Sequence, residues 1–130
     1  MIRIVQETGS TNADLAARLA GGEYLPEGEW LVADRQVAGK GRLGRVWNDG
    51  AGNFMGSTVI RPAAGDPSPA TLALMTGLAV YEALVGFLPR QSDLRLKWPN
   101  DLLLNDAKVA GILLEAANGV VIAGIGVNLH

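Results

Sequence analysis

Four apolar segments, at residues 94–98, 101–104, 108–116 and 120–127, follow one another with little between them but Pro99-Asn100, Asn105-Asp106 and Asn118-Gly119. Each separator is turn chemistry: proline presets φ, and asparagine, aspartate and glycine tolerate a left-handed backbone. Parallel neighbours need a crossover of a dozen or more residues, and these gaps hold two or three. The C-terminal third is therefore an antiparallel meander, which constrains the fold more than any other feature of the chain.

Upstream the pattern changes. Residues 1–6 read as a short strand, and Ser10-Thr11-Asn12 offers caps for a helix through Leu15 and Leu19 that stops at Gly21-Gly22. Trp30–Gln36 is a second strand that opens into a glycine-rich, basic loop ending near Asn53, and residues 53–60 form a third strand. Residues 62–69 connect on the surface to a long apolar helix over residues 70–88, with Ser68 as N-cap, Pro69 in the first turn and Pro89 beyond the far end. Its length invites comparison with a membrane span, but a helix packed on a sheet accounts for it better. The order predicts an α+β domain over residues 1–130, a mixed, mostly antiparallel sheet with helices packed on one side.

A single core suffices at 130 residues. The net charge of -2 disfavours a general nucleic-acid binder, which needs a broad basic footprint. The chain has no cysteine and only His130, so a disulfide framework, a cysteine nucleophile and a thiolate or histidine metal cluster are excluded. The start of the chain carries Arg3 and too short an apolar run for a secretion signal, so a cytoplasmic location is expected.

The loop Gly39-Lys40-Gly41-Arg42-Leu43-Gly44-Arg45-Val46-Trp47 is built to hold an anion. Its glycines let backbone N–H groups approach closely, Lys40, Arg42 and Arg45 supply charge, and Trp47 offers a flat face on which a base can stack. Gly39, Gly41 and Gly44 match the dinucleotide-binding pattern G-x-G-x-x-G, but that motif opens a helix, and here Asn48-Asp49-Gly50-Ala51-Gly52-Asn53 follows, a run of helix breakers. The kinase loop it also matches is unaccompanied by H-R-D or D-F-G. From the loop alone a solvated hairpin connection remains open.

Five ordered segments resemble the biotin protein ligase family: Gly9-Ser10-Thr11-Asn12, Gln36 through Trp47, Lys97-Trp98-Pro99-Asn100-Asp101, Lys108-Val109-Ala110-Gly111-Ile112-Leu113-Leu114-Glu115 and Gly124-Ile125-Gly126-Val127-Asn128. The resemblance implies an ATP-dependent ligase with Mg²⁺, which activates biotin as biotinyl-5′-adenylate and passes it to a lysine of a carrier protein such as the biotin carboxyl carrier protein. It implies a biotin site at Ser10, Thr11, Asn12, Gln36, Gly39, Lys40, Gly41, Arg42, Lys108 and Gly111, and ATP or adenylate contacts from Lys40, Arg42, Arg45, Trp47, Lys108 and Asn128. Arg42, Lys108 and Asp101 are the implied catalytic set, and the metal is expected on the ATP phosphates.

Other readings stand beside these. Ser10 and Thr11 also suit helix capping, Lys108 a solvent-facing strand end and Asp101 a turn, while Trp98 is expected in the core rather than at a ligand. Lys40 stands where the family commonly has arginine, keeping charge but losing the bidentate fork. Family members continue past Asn128-Leu129-His130 into a small β-barrel domain, and repressor-type members add an N-terminal DNA-binding domain, so a shortened catalytic domain without membrane or DNA binding is expected. A homodimer is among the expected assemblies. The competing functions are a non-catalytic biotin- or adenylate-binding module and a lipoate or octanoate ligase or transferase.

Overall fold

A computed structural model of the chain describes residues 1–48 and 50–129. Asp49, in the helix-breaking run, and His130, the sole histidine, lie outside the described residues. The elements are β1 (Ile2–Thr8), α1 (Thr11–Ala20), β2 (Trp30–Gln36), β3 (Phe54–Ile60), α2 (Pro69–Val85), β4 (Leu94–Lys97), β5 (Asp101–Leu104), β6 (Ala107–Ala117) and β7 (Val120–Val127), with a short 3₁₀ turn at Arg42–Gly44. One seven-stranded sheet runs in the order β1-β2-β3-β7-β6-β5-β4.

The meander is present as expected: β4 to β7 pair antiparallel in sequence order. Asn105 and Asp106, and Asn118 and Gly119, all take positive φ, the geometry two-residue hairpins need to match strand twist. Among the described residues only β1 and β2 pair in parallel, and α1 is the crossover that parallel pairing requires. Ser10 caps α1 by accepting the N–H of Ala13 at 3.3 Å, and Leu15 and Leu19, one turn apart, bury the same face. Those two leucines pack with Leu25, Leu31, Val59, Val120 and Ile122 in the first of two cores. Leu15→Ala is expected to cost about 2–5 kcal/mol in denaturant unfolding, since Leu15 is fully buried.

The helices do not share one side of the sheet, which corrects that part of the expectation. Gly111 pairs with Gly126 and Ile112 with Ile125, so odd positions of β6 share a face with even positions of β7. Val120 and Ile122 pack under α1, whereas Ile112, Ala110 and Val127 pack with Val80 of α2 in the second core. The cause is handedness. Both crossovers, β1 to β2 and β3 to β4, move the same way across the sheet, but β3 runs opposite to β2 and hence to β1. Right-handed connections from strands of opposite direction lie on opposite faces.

Two smaller expectations also change. Ser68 occupies the N-cap of α2 without a side-chain cap bond, its hydroxyl facing Thr71 Oγ1 at 3.3 Å instead. Trp98 is 66% exposed rather than in the core, because β4 ends at Lys97 and leaves it on the turn. No helix among the described residues is long and apolar enough to cross a membrane.

Candidate active site

A β-bulge carries much of the site. Leu102 pairs with Ala110 but Leu103 pairs with Lys108, leaving Val109 as an extra residue in β6. In a regular strand Lys108 and Gly111, three apart, face opposite sides; the bulge turns Lys108 onto the α1 side with Gly111. There Lys108 Nζ lies 3.3 Å from Asp101 Oδ1 and 5.3 Å from the centroid of the Trp47 ring. Asp101 pairs with Gly111 across β5 and β6, so strand register supplies the lysine's anionic partner.

The α1 face opens as a cleft of about 210 Å³ between the start of α1, the basic loop and the centre of the sheet. Its floor is glycine. A Cβ on Gly126 would stand 2.4 Å from Trp47 Cζ2, one on Gly111 2.9 Å from Trp47 Cζ3, and one on Gly124 2.5 Å from Asn12 Oδ1. The side chains of Trp47, Lys108 and Asn12 thus lie directly on backbone. The Trp47 ring lies against Gly111 and Gly126 as part of the cleft wall, and its Nε1 is the one buried side-chain polar atom without a partner among the described residues.

The loop itself folds as a small hairpin. Lys40 and Val46 form an antiparallel bridge, the N–H of Gly41 reaches Arg45 O at 2.6 Å, and that of Trp47 reaches Gly39 O at 2.9 Å. Leu43 sits at the tip with φ 58° and is 86% exposed. Arg42 Nη1 donates to Asn100 Oδ1 at 3.3 Å, tying the loop to the β4–β5 turn. Asn100 is itself held by Ile112, whose carbonyl accepts from Asn100 Nδ2 at 2.6 Å.

At the α1 end the polar groups interlock. Gln36 Oε1 accepts the N–H of Thr11 at 2.7 Å, and Thr11 Oγ1 lies 2.7 Å from Ser57 Oγ. Ser57 donates to Asn12 Oδ1, and Asn12 Nδ2 donates to Glu115 Oε1 at 2.8 Å. Thr11, Asn12 and Ser57 are all buried. Gly39 has no room for a side chain, since a Cβ there would stand 2.9 Å from Gln36 Nε2.

Of the residues expected at the site, Ser10, Thr11, Asn12 and Gln36 line one part of the cleft. Lys40, Gly41, Arg42, Arg45 and Trp47 line it from the loop, and Asp101, Lys108 and Gly111 from the sheet. Gly39 and Asn128 do not line it. Asn128 donates to Lys108 O at 3.2 Å and accepts from Asn53 Nδ2 at 3.3 Å, so both ends of its amide are engaged at the strand ends. Ser57, Asn100 and Glu115 were not anticipated. Asn100 lay within a quoted motif as a turn residue, Glu115 closed another quoted motif without a role of its own, and the alternate glycines 124 and 126 signal close approach to one strand face.

Among the described residues, four cations, Lys40, Arg42, Arg45 and Lys108, face the cleft against the carboxylate of Asp101. On a chain of net charge -2 this is a local concentration of positive charge. Such a cleft can hold two anionic groups side by side at one end and a neutral polar ring at the other.

Residues 8–130 match the model of the biotin/lipoate A/B protein ligase family. The chain is 46% identical to the biotin–[acetyl-CoA-carboxylase] ligase of Paracoccus denitrificans and 41% identical to that of Mycobacterium tuberculosis, in each case over 97% of its own length. It covers 53% and 48% of those proteins, so it spans about half the length of the curated relatives it matches. Its fold is similar to that of a biotin protein ligase from Aquifex aeolicus in complex with biotin and ATP (TM-score 0.83, 36% identity, 98% of this chain and 51% of that one). It is likewise similar to a biotin acetyl coenzyme A carboxylase synthetase from Helicobacter pylori with bound biotinylated ATP (TM-score 0.87, 30% identity, 99% and 61%).

Proposed function

Because the chain belongs to the biotin/lipoate A/B protein ligase family, we propose that its cleft activates biotin with ATP and transfers the biotinyl group to a carrier-protein lysine. The observation that carries this reading is one cleft in which a set of directional hydrogen-bonding groups, Thr11 and Gln36, adjoins four cations. A cyclic urea offers N–H donors and a carbonyl acceptor to the first. The second suits a carboxylate brought against an α-phosphate.

In the first step a carboxylate oxygen of biotin attacks the α-phosphorus of ATP, the bond to the β-phosphate bridge breaks, and pyrophosphate leaves. Two negative groups must meet, and Lys40, Arg42, Arg45 and Lys108 oppose their repulsion while fixing an in-line approach. Asp101 holds the Lys108 ammonium at 3.3 Å, in place beside the Trp47 ring. In the second step the lysine amine attacks the acyl carbon, the acyl–phosphate bond breaks, and AMP departs with the electron pair. No covalent enzyme intermediate is needed, in keeping with a sequence that has no cysteine.

Mg²⁺ is part of the reading as a companion of the nucleotide. The described residues contain no group of three or more histidine, cysteine, aspartate or glutamate side chains able to hold a metal, and the cleft carboxylate, Asp101, is committed to Lys108. The ion therefore fits on the phosphates of ATP rather than in a protein cage. The acceptor is read as the biotin carboxyl carrier domain of acetyl-CoA carboxylase, and the setting as cytoplasmic protein modification. A homodimer is a compatible assembly. Cations gathered in one cleft of an acidic chain give no reason to propose nucleic acid or membrane as partners.

Biotin-dependent ATP–pyrophosphate exchange tests the reading, with exchange above background expected for biotin and not for lipoate or octanoate. Exchange driven by lipoate or octanoate instead reassigns the substrate. Biotin binding without exchange leaves a binding module.

A further inference from the structure

Three oxygen–oxygen contacts at the α1 end of the cleft, Ser57 Oγ to Asn12 Oδ1, Thr11 Oγ1 to Ser57 Oγ and Thr11 Oγ1 to Gln36 Oε1, share two hydroxyl hydrogens, and the hydrogens can be counted. Glu115 Oε1 at 2.8 Å and the carbonyl of Leu113 at 3.4 Å both face the same end of the Asn12 amide. Two acceptors admit only a donor between them, so that end is Nδ2 and the other is Oδ1. Asn12 Oδ1 then requires the Ser57 hydrogen. With its own hydrogen spent, Ser57 Oγ can only accept, and of the two oxygens beside Thr11 Oγ1, Ser57 Oγ at 2.7 Å and Gln36 Oε1 at 3.0 Å, the nearer takes the hydrogen of Thr11. Gln36 Oε1 is satisfied by the backbone N–H of Thr11 at 2.7 Å, which turns Gln36 Nε2 the other way.

We propose that Glu115 is a positioning residue that sets the direction of this whole chain of hydrogen bonds, so that the cleft presents an acceptor at Thr11 Oγ1, beside Gln36 Oε1 at 3.0 Å, and a donor at Gln36 Nε2. Glu115 does not line the cleft and acts only through Asn12, Ser57 and Thr11. The pattern deepens the functional reading and rests on it: one acceptor and one donor are complementary to an N–H and the C=O of a cyclic urea. A ring in which the carbonyl is replaced by a charged iminium is all donor and mismatches Gln36. The buried Asn12 lies flush on Gly124, so its amide has no freedom to turn over without a new partner.

The test is calorimetric titration of the chain with biotin and with 2-iminobiotin, with the thermal midpoint followed in parallel. Glu115→Leu is expected to weaken biotin about tenfold, the scale of one misdirected hydrogen bond, and to shrink the preference for biotin over 2-iminobiotin. Glu115→Gln, which keeps an acceptor oxygen for Asn12 and removes the charge, is expected to stay within about twofold. Asn12→Asp places an oxygen against Glu115 and is expected to lose affinity, and adding Glu115→Gln to it, which supplies a donor, is expected to restore much of the loss. The last two variants decide the matter even if Glu115→Leu does not fold. An unchanged preference in Glu115→Leu, Glu115→Gln as damaging as leucine, or no recovery in the paired variant overturns the inference while leaving biotin binding intact. Failure of the unsubstituted chain to bind biotin overturns the functional reading and the inference with it.

Discussion

Lys108→Ala is expected to lower biotin-dependent pyrophosphate exchange by about 10²–10³-fold, the usual consequence of removing one charge aimed at a developing oxyanion. The loss should fall on turnover more than on the Michaelis constant for biotin, because an ammonium opposing two converging anions matters most when they are closest. Stability should barely move. The pair with Asp101 is partly solvated, Lys108 being 46% exposed, and such pairs contribute about 0–1 kcal/mol. A melting temperature within a few degrees of the parent, with exchange nearly abolished, separates chemistry from folding. Unaltered exchange would remove Lys108 from the mechanism and leave the bulge that aims it without a purpose.

Gly126→Ala should be the most damaging single-methyl change in the cleft. Its new Cβ would sit 2.4 Å from Cζ2 and 2.6 Å from Cε2 of Trp47, atoms of a rigid ring with no flexible end to swing aside. Nor can the strand retreat, since β7 is laddered on both edges, Gly126 facing Met55 on one and Gly111 on the other. The ring must leave the floor. Stability should fall by about 1–3 kcal/mol, and Trp47 emission should shift red relative to a Trp47→Phe reference that isolates Trp30 and Trp98. Biotin affinity should drop with it. Gly86→Ala is the matched control, because nothing lies within 4 Å of a Cβ there and its φ of -69° is ordinary. Equal behaviour of the two alanine variants would show that the close floor contact has no energetic weight.

These effects bear on what a sequence can disclose. The meander was legible because two-residue turns forbid crossovers, and α1 because Ser10, Leu15, Leu19 and Gly21 mark its start, face and stop. Twelve of the fourteen positions expected from the loop and the quoted motifs line one cleft. What escaped shares a cause: it depends on register between strands far apart in sequence. The bulge at Val109 cannot be read from an apolar run, although it alone decides which face Lys108 takes. Glu115 closes a recognised motif, but its partner Asn12 emerges only when β6 and α1 are set side by side. The opposite placement of the helices follows from the direction of β3, which pattern reading leaves open. Asn128, expected at the nucleotide from its motif, meets Asn53 and Lys108 through its amide, neighbours that the motif does not name.

The pairing of β3 with β7 has a kinetic side. Phe54 meets Val127 and Ile60 meets Val121, so this ladder joins the two halves of the chain, whereas the contacts within each half are largely local. Loop closure is expensive before it is rewarded, which makes such a seam slow to form. The cleft straddles it, with Thr11, Gln36 and Arg42 from one half and Asp101, Lys108 and Gly111 from the other. A ligand seated there stitches the halves together after they have met, so its stabilisation should appear as slower opening of the native chain rather than faster folding.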